Sequence, residues 1–201
     1  MTAASDPLVA TKVQLQGDSL VVKSGGVIVV ETGASVLANG VEVANGQLAT
    51  IAEINRAADT STRVVDLAVS TSITELAHDG KTIVMGGAGS ARTFTLPVPA
   101  PGMKFRFVVG AVNTSNYLIK SVAGTQVMGG TIVTLSDNSA AVLGYTAGAT
   151  DDTITLNGST TGGASIGDWV QVEALTAMRW AVSGLTTSSG SEATPFSDTV
   201  A

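Results

Sequence analysis

Chemistry at neutral pH draws mostly on histidine, cysteine and paired carboxylates, and this chain of 201 residues holds one histidine, no cysteine and 16 acidic residues. The histidine, His78, stands in Ala77-His78-Asp79-Gly80. Asp-Gly is a turn signal, so His78 reads as an exposed turn residue. A serine nucleophile would need that one imidazole as its base, and no catalytic triad is expected. The lack of cysteine excludes disulfide scaffolds, zinc ribbons and thiol catalysis, and a lone histidine leaves Cys/His metal sites without ligands.

Asp151-Asp152 and Asp168 have the hard oxygens that calcium prefers. Neither an EF-hand nor a glycine-aspartate repeat accompanies them, and Asp151-Asp152 directly precedes a strand pattern, so they read as solvated loop carboxylates. Glycoside hydrolysis would need two carboxylates at a defined separation across a cleft, for which the spacing offers no sign. Gly86-Gly87-Ala88-Gly89-Ser90 lacks the lysine of a phosphate-binding loop and precedes no helix pattern, and it reads as a flexible loop. Asn113-Thr114-Ser115 and Asn157-Gly158-Ser159 match the glycosylation triplet, which matters only in a eukaryotic secretory pathway. Trp180 shares a strand face with Val182 and is assigned to the core. Trp169 points opposite to Val170 and Val172, which makes it the surface candidate for ligand contact. No catalytic residue, cofactor or metal is expected.

The elements that hold these residues differ along the chain. Ten basic against 16 acidic residues give a net charge of −6, which argues against neutralising phosphates in bulk, so nucleic acid is not an expected partner. No apolar run approaches the length of a membrane span, and Met1 to Ala10 lacks the regions of a signal peptide, so neither a membrane nor a secretory route is expected. Charged residues make up 13%, against roughly 25% in an ordinary domain, which fits a β-rich subunit whose surface is partly covered in a larger assembly.

All eight aromatic residues lie at or after Phe94, so the first 93 residues depend on Val, Ile, Leu and Ala for any core. Short β-branched runs punctuated by glycine recur from Leu20 to Val43, with Asn39-Gly40 and Asn45-Gly46 as hairpin turns. Strands this short make a marginal sheet in one chain. Thr50-Ile51-Ala52-Glu53 has the form of a capping box and predicts a helix to about Ala58, on which Ile51, Ile54 and Ala58, preceded by Leu48, form one apolar stripe. That stripe either seals the base of the following domain or packs around a symmetry axis.

From Arg63 the pattern becomes two-residue alternation, as in Thr93-Phe94-Thr95-Leu96, Lys104-Phe105-Arg106-Phe107 and Trp169-Val170-Gln171-Val172. Turn signals, among them Asp79-Gly80, Gly129-Gly130, Asn157-Gly158 and Gly162-Gly163, separate the runs. The expected fold is mainly β, in four parts: a short-strand arm over 1–46, one short helix and linker over 47–62, an antiparallel, jelly-roll-like β-sandwich over 63–184, and an extended tail over 185–201.

The order of these motifs, from the glycine-punctuated strands through Ala49-Thr50-Ile51-Ala52-Glu53-Ile54-Asn55-Arg56-Ala57-Ala58-Asp59, His78-Asp79-Gly80-Lys81-Thr82-Ile83-Val84 and Gly167-Asp168-Trp169-Val170 to Arg179-Trp180, resembles tailed-bacteriophage virion proteins of the head-decoration, head-fibre and tail-fibre kind. The resemblance covers most of Leu20 to Ser183. It implies a homotrimer without catalytic residues, with an attachment arm and an exposed β domain, and leaves capsid lattice and tail both open; the leading expectation is a decoration protein made in the host cytoplasm and carried on the outer surface of the capsid. On that reading Val13, Leu15, Leu20, Val22, Val27, Val29 and Val36 dock on the major capsid protein, and Leu48, Ile51, Ile54 and Ala58 pack at the trimer axis. The alternative is a tail fibre or receptor-binding subunit that recognises a host surface glycan through Trp169. A polysaccharide-degrading spike, the third class, would need a cleft with two carboxylates.

Overall fold

The computed structural model describes residues 60–137 and 140–200, preceded by the backbone of four strand segments within 13–44. The chain divides into two compact units, Met1–Ala58 and Asp59–Ala201. In the first, β1 (Val13–Gln16) pairs antiparallel with β2 (Ser19–Val22), and β3 (Val36–Ala38) pairs antiparallel with β4 (Val41–Ala44). The two residues between β3 and β4 are Asn39-Gly40, the pair expected to turn there. Val27 and Val29, the predicted helix over 50–58 and its stripe of Leu48, Ile51, Ile54 and Ala58 lie outside the described residues.

The second unit begins with a 3-10 turn (Thr60–Thr62) and then runs β5 (Val64–Leu67), β6 (Thr71–Ser72), the one-turn helix α1 (Glu75–His78), β7 (Thr82–Met85), β8 (Arg92–Thr95), β9 (Lys104–Val109) and β10 (Tyr117–Lys120). It continues through β11 (Val127–Ser136), β12 (Val142–Thr146), β13 (Thr153–Leu156), β14 (Trp169–Thr176), β15 (Arg179–Ser188) and β16 (Phe196–Ser197). The described residues are mainly strand with almost no helix, so the mainly-β class is as expected.

Two mixed sheets result, a seven-stranded one in the order β12-β11-β15-β14-β9-β7-β5 and a five-stranded one in the order β16-β13-β10-β8-β6. From β5 to β10 each successive strand joins the opposite sheet, so neighbours within a sheet travel the same way: β5, β7 and β9 are parallel, and so are β6, β8 and β10. Parallel pairing ordinarily needs a helical crossover. Here a strand of the other sheet serves as the crossover. This corrects the antiparallel, jelly-roll-like expectation, because half of the described pairings in this unit are parallel. Side-chain alternation is the same in either direction, so the in-and-out pattern was right while the direction was not.

The inner faces of the sheets meet in one core. Phe94 of the smaller sheet lies 5.9 Å from Phe107 of the larger and 6.1 Å from Tyr117, and Phe105 lies 5.9 Å from Trp180, all as tilted ring pairs. Trp180 is wholly buried, as its strand face required.

Two further expectations are corrected. Gly129-Gly130, read as a turn, lies inside β11. Gly130 has φ +136° and sits so close to β15 that a Cβ there would be 2.0 Å from the Val182 carbonyl oxygen, so the glycine serves close backbone approach within a ladder. The segment 185–201, read as an extended tail, is built into the sandwich as far as it is described. β15 runs on to Ser188, Phe196 is buried and pairs with Ile154, and the buried Asp152 carboxylate accepts the amides of Thr199 and Val200, each at 3.0 Å.

Replacing Gly130 with alanine should cost about 1–3 kcal/mol in backbone strain alone, before the collision with Val182 is relieved. Thermal unfolding followed by circular dichroism should show Tm lowered by at least roughly 2 °C. Gly80→Ala, where φ is +69° but the space is open, should lower it less.

Candidate functional site

The residues that sequence alone marked for chemistry are mostly used as structure. His78 is buried, correcting its reading as an exposed turn residue: it closes α1, and its Nδ1 accepts the Thr74 amide at 3.0 Å while Thr74 Oγ1 caps the helix. Asp152 and Asp168 are likewise buried rather than solvated. Asp168 accepts the Thr187 amide at 2.8 Å, the Thr187 hydroxyl at 3.1 Å and the Ser165 amide at 3.3 Å, tying the loop before β14 to β15. Asp151 accepts the Gly148 amide at 2.7 Å in its own turn. Among the described residues no three His, Cys, Asp or Glu side chains gather as a metal site.

The expectation of no catalytic triad rests in part on no serine standing in a G-x-S-x-G elbow, and that is corrected: Gly163-Ala164-Ser165-Ile166-Gly167 has that spacing. Its context differs, for Ser165 lies in the loop between β13 and β14 with no helix after it. Asn113 is fully buried: its amide nitrogen donates to the carbonyls of Ser90 and Asn116, and its oxygen accepts the Ser115 amide, so its glycosylation triplet is spent on a turn.

The exposed chemistry lies on the outer face of the seven-stranded sheet. Strand registers place Val84 of β7, Val108 of β9, Trp169 of β14, Leu185 of β15 and Val133 of β11 side by side in one row. At 4.7–4.9 Å per strand the row spans roughly 19 Å. Leu185 is 41% exposed and the other four are half-buried, so the row is an apolar stripe open to solvent. Beside it runs a polar row of Thr82, Arg106, Gln171 and Ser183. The Arg106 guanidinium carbon lies 4.6 Å from the centre of the Trp169 ring, a cation–π stack across the two rows. One step further, Lys104 meets Glu173 at 3.4 Å directly across the strands. Both are about half exposed, and an exposed pair of this kind contributes about 0–1 kcal/mol.

Gly80, Lys81, Thr82, Lys104, Arg106 and Gln171 line a shallow depression of about 140 Å³ at the base of this face. Trp169 therefore occupies the outer position that alternation gave it. Its basic neighbours went unread because the pattern Lys104-Phe105-Arg106-Phe107 already turned both cations outward, but only the long-range pairing of β9 with β14 shows that they stand beside the tryptophan. Of the residues assigned to a docking arm, Val13 and Leu15 fall in β1, Leu20 and Val22 in β2 and Val36 in β3. Compared with known proteins, the chain matches no family model and no curated protein.

Burial raises the Asp168 carboxyl above its usual 3.8, against the opposing pull of the hydrogen bonds from Thr187, Ser165 and Gly163. The folded state therefore holds that proton more tightly than the unfolded state. The stability this confers is full below the unfolded value and is lost as pH rises through the raised one. A carboxyl-resolved NMR titration should give Asp168 a midpoint above 3.8. The difference in unfolding free energy between wild type and Asp168→Asn should shift in the variant's favour over the same window.

Proposed function

We propose that the protein is a non-enzymatic virion subunit: a phage capsid decoration or cement protein that binds the outside of the major capsid lattice as a homotrimer and stabilises the head. The observation that carries this reading is the contrast between the two units. The second has a closed aromatic core, whereas the described strands of the first pair only as two-stranded sheets, with strands of three or four residues. A lone two-stranded hairpin is at best marginal in water, so such strands gain most when neighbouring chains extend or cover them. The small share of charge and the order of motifs resembling phage head proteins support the same conclusion. A trimer that bridges capsid subunits adds binding free energy that must be lost before they part, and its linked contacts gain from effective concentration. A standard specific interface buries about 1,600 Å², within reach of an arm of this length.

One observation favours a second reading, a tail fibre or receptor-binding subunit that recognises a host surface glycan: the outward Trp169, stacked on Arg106 and flanked by an apolar row, has the chemistry of a sugar platform.

Deleting residues 1–43 should abolish binding to capsids while leaving the sandwich folded. Sedimentation of purified heads with the truncated and full-length proteins, read beside their circular dichroism, measures both. Full occupancy by the truncated protein would overturn the role of the arm, and copy number per particle from electron microscopy separates lattice decoration from a tail location.

A further inference from the structure

The depression beside Trp169 has a composition that the whole chain does not share. On a protein of net charge −6, it gathers Lys81, Lys104 and Arg106 around Gly80, Thr82 and Gln171. The nearby carboxylates are engaged: Glu173 pairs with Lys104 at 3.4 Å, and Asp79 accepts the Lys104 amide at 2.7 Å. Among the described residues neither Lys81 nor Arg106 has a carboxylate within ion-pairing distance. The Arg106 guanidinium carbon lies 4.6 Å over the Trp169 ring, a contact that holds the cation on this face, and a guanidinium is the side chain whose forked N–H donors can grip a planar anion through two bonds.

Size narrows the ligand. Pockets that enclose a whole small molecule run to about 300–1,000 Å³, whereas this one is near 140 Å³ and open. It accommodates one charged substituent of something larger that lies across the face. Thr82 and Gln171 supply hydroxyl and amide groups suited to sugar hydroxyls, and the adjoining row of Val108, Trp169 and Leu185 supplies an apolar strip for a ring face.

Resting on the glycan reading of this face, we infer that the depression is a binding site for the carboxylate of an acidic saccharide. Arg106 and Lys81 hold the carboxylate, Gln171 and Thr82 bond to adjacent hydroxyls, and Trp169 acts as a positioning residue for Arg106. A nucleic acid would require cations spread along a strand rather than one basic depression.

The test is titration calorimetry of the full-length protein with a glucuronate-containing tetrasaccharide and with the same tetrasaccharide reduced to its neutral form. Expected are binding of the acidic form tighter by about tenfold or more, weakening as salt rises, and loss of that preference in Arg106→Gln and in Lys81→Gln. Both changes are at the surface, and unchanged amide NMR spectra elsewhere would confirm that the variants fold. Equal binding of the two saccharides, abolished by Trp169→Ala, would overturn the acid site while leaving the glycan reading in place. No binding of either saccharide would overturn both. Poly-glutamate that binds through the same two cations when the saccharide does not would overturn the assignment to a sugar.

Discussion

Except for the two-residue β6, every strand from β5 to β10 has one apolar face, and the chain delivers successive strands alternately to two sheets, so neither sheet can bury its face until the other has formed. The rest of the molecule follows from that constraint. Phe94 needs Phe107 from the strand after it, and Phe105 needs Trp180 from a strand more than 70 residues on. A buried aromatic removes about 150–250 Å² from water, worth roughly 4–6 kcal/mol at about 25 cal/mol per Å² as an upper figure. No pair of consecutive strands between β5 and β10 captures that gain as a hairpin. Stability arrives with closure, and folding of so non-local a topology belongs in the millisecond-to-second range.

The polar groups inside the sandwich are arranged to permit that closure. The Tyr117 hydroxyl, on the smaller sheet, lies 3.0 Å from the Met85 carbonyl oxygen of the larger one and 2.8 Å from that of Ala111. Its one proton is shared between two acceptors, of which the Met85 carbonyl also takes the amides of Gly110 and Ala111, and burial raises the pKa of the hydroxyl. Asp152 and Asp168 do similar work at the joins: the first receives the last described amides of the chain, the second links the loop ahead of β14 to the end of β15. Acids that could have served a hydrolytic or metal chemistry are thus committed to backbone donors. Removing one would leave several donors unpaired, at about 1–3 kcal/mol each.

What the sequence disclosed and what it withheld divide along physical lines. Alternation located strands of the sandwich, including the first residues of β9 and β14, and it sorted Trp180 inward and Trp169 outward. Those properties are local, fixed by the two-residue period. Strand direction, the order across a sheet and the fate of 185–201 depend on partners far away in the chain, and a period of two carries no record of them. Gly130 shows the limit most clearly: a glycine pair looks the same whether it turns the chain or admits the backbone of β15. His78 misled for a related reason, since the one-turn helix that buries it is capped by Thr74, four residues earlier, and the Asp-Gly signal marks only where that helix stops. The candidate site was half visible, as a tryptophan without its arginine.

The outer face of the seven-stranded sheet then becomes the natural place to ask how the molecule meets others. An antiparallel or mixed sheet with one face in the core is free to present polar residues on the other, and the row of Thr82, Arg106, Gln171 and Ser183 does so. The neighbouring row does not. Val84, Val108, Leu185 and Val133 flank Trp169 with aliphatic side chains that contribute nothing to the inner core, since alternation forbids them from reaching it. Fold stability alone gives no reason for a tryptophan there, whereas Trp and Arg are the residues most enriched where binding energy concentrates. The stack of Arg106 on Trp169 orders both side chains before any partner arrives, which lowers the entropy that binding must overcome. A face built this way is prepared for contact, because its order is set by the same ladder of β9 on β14 that closes the core beneath it.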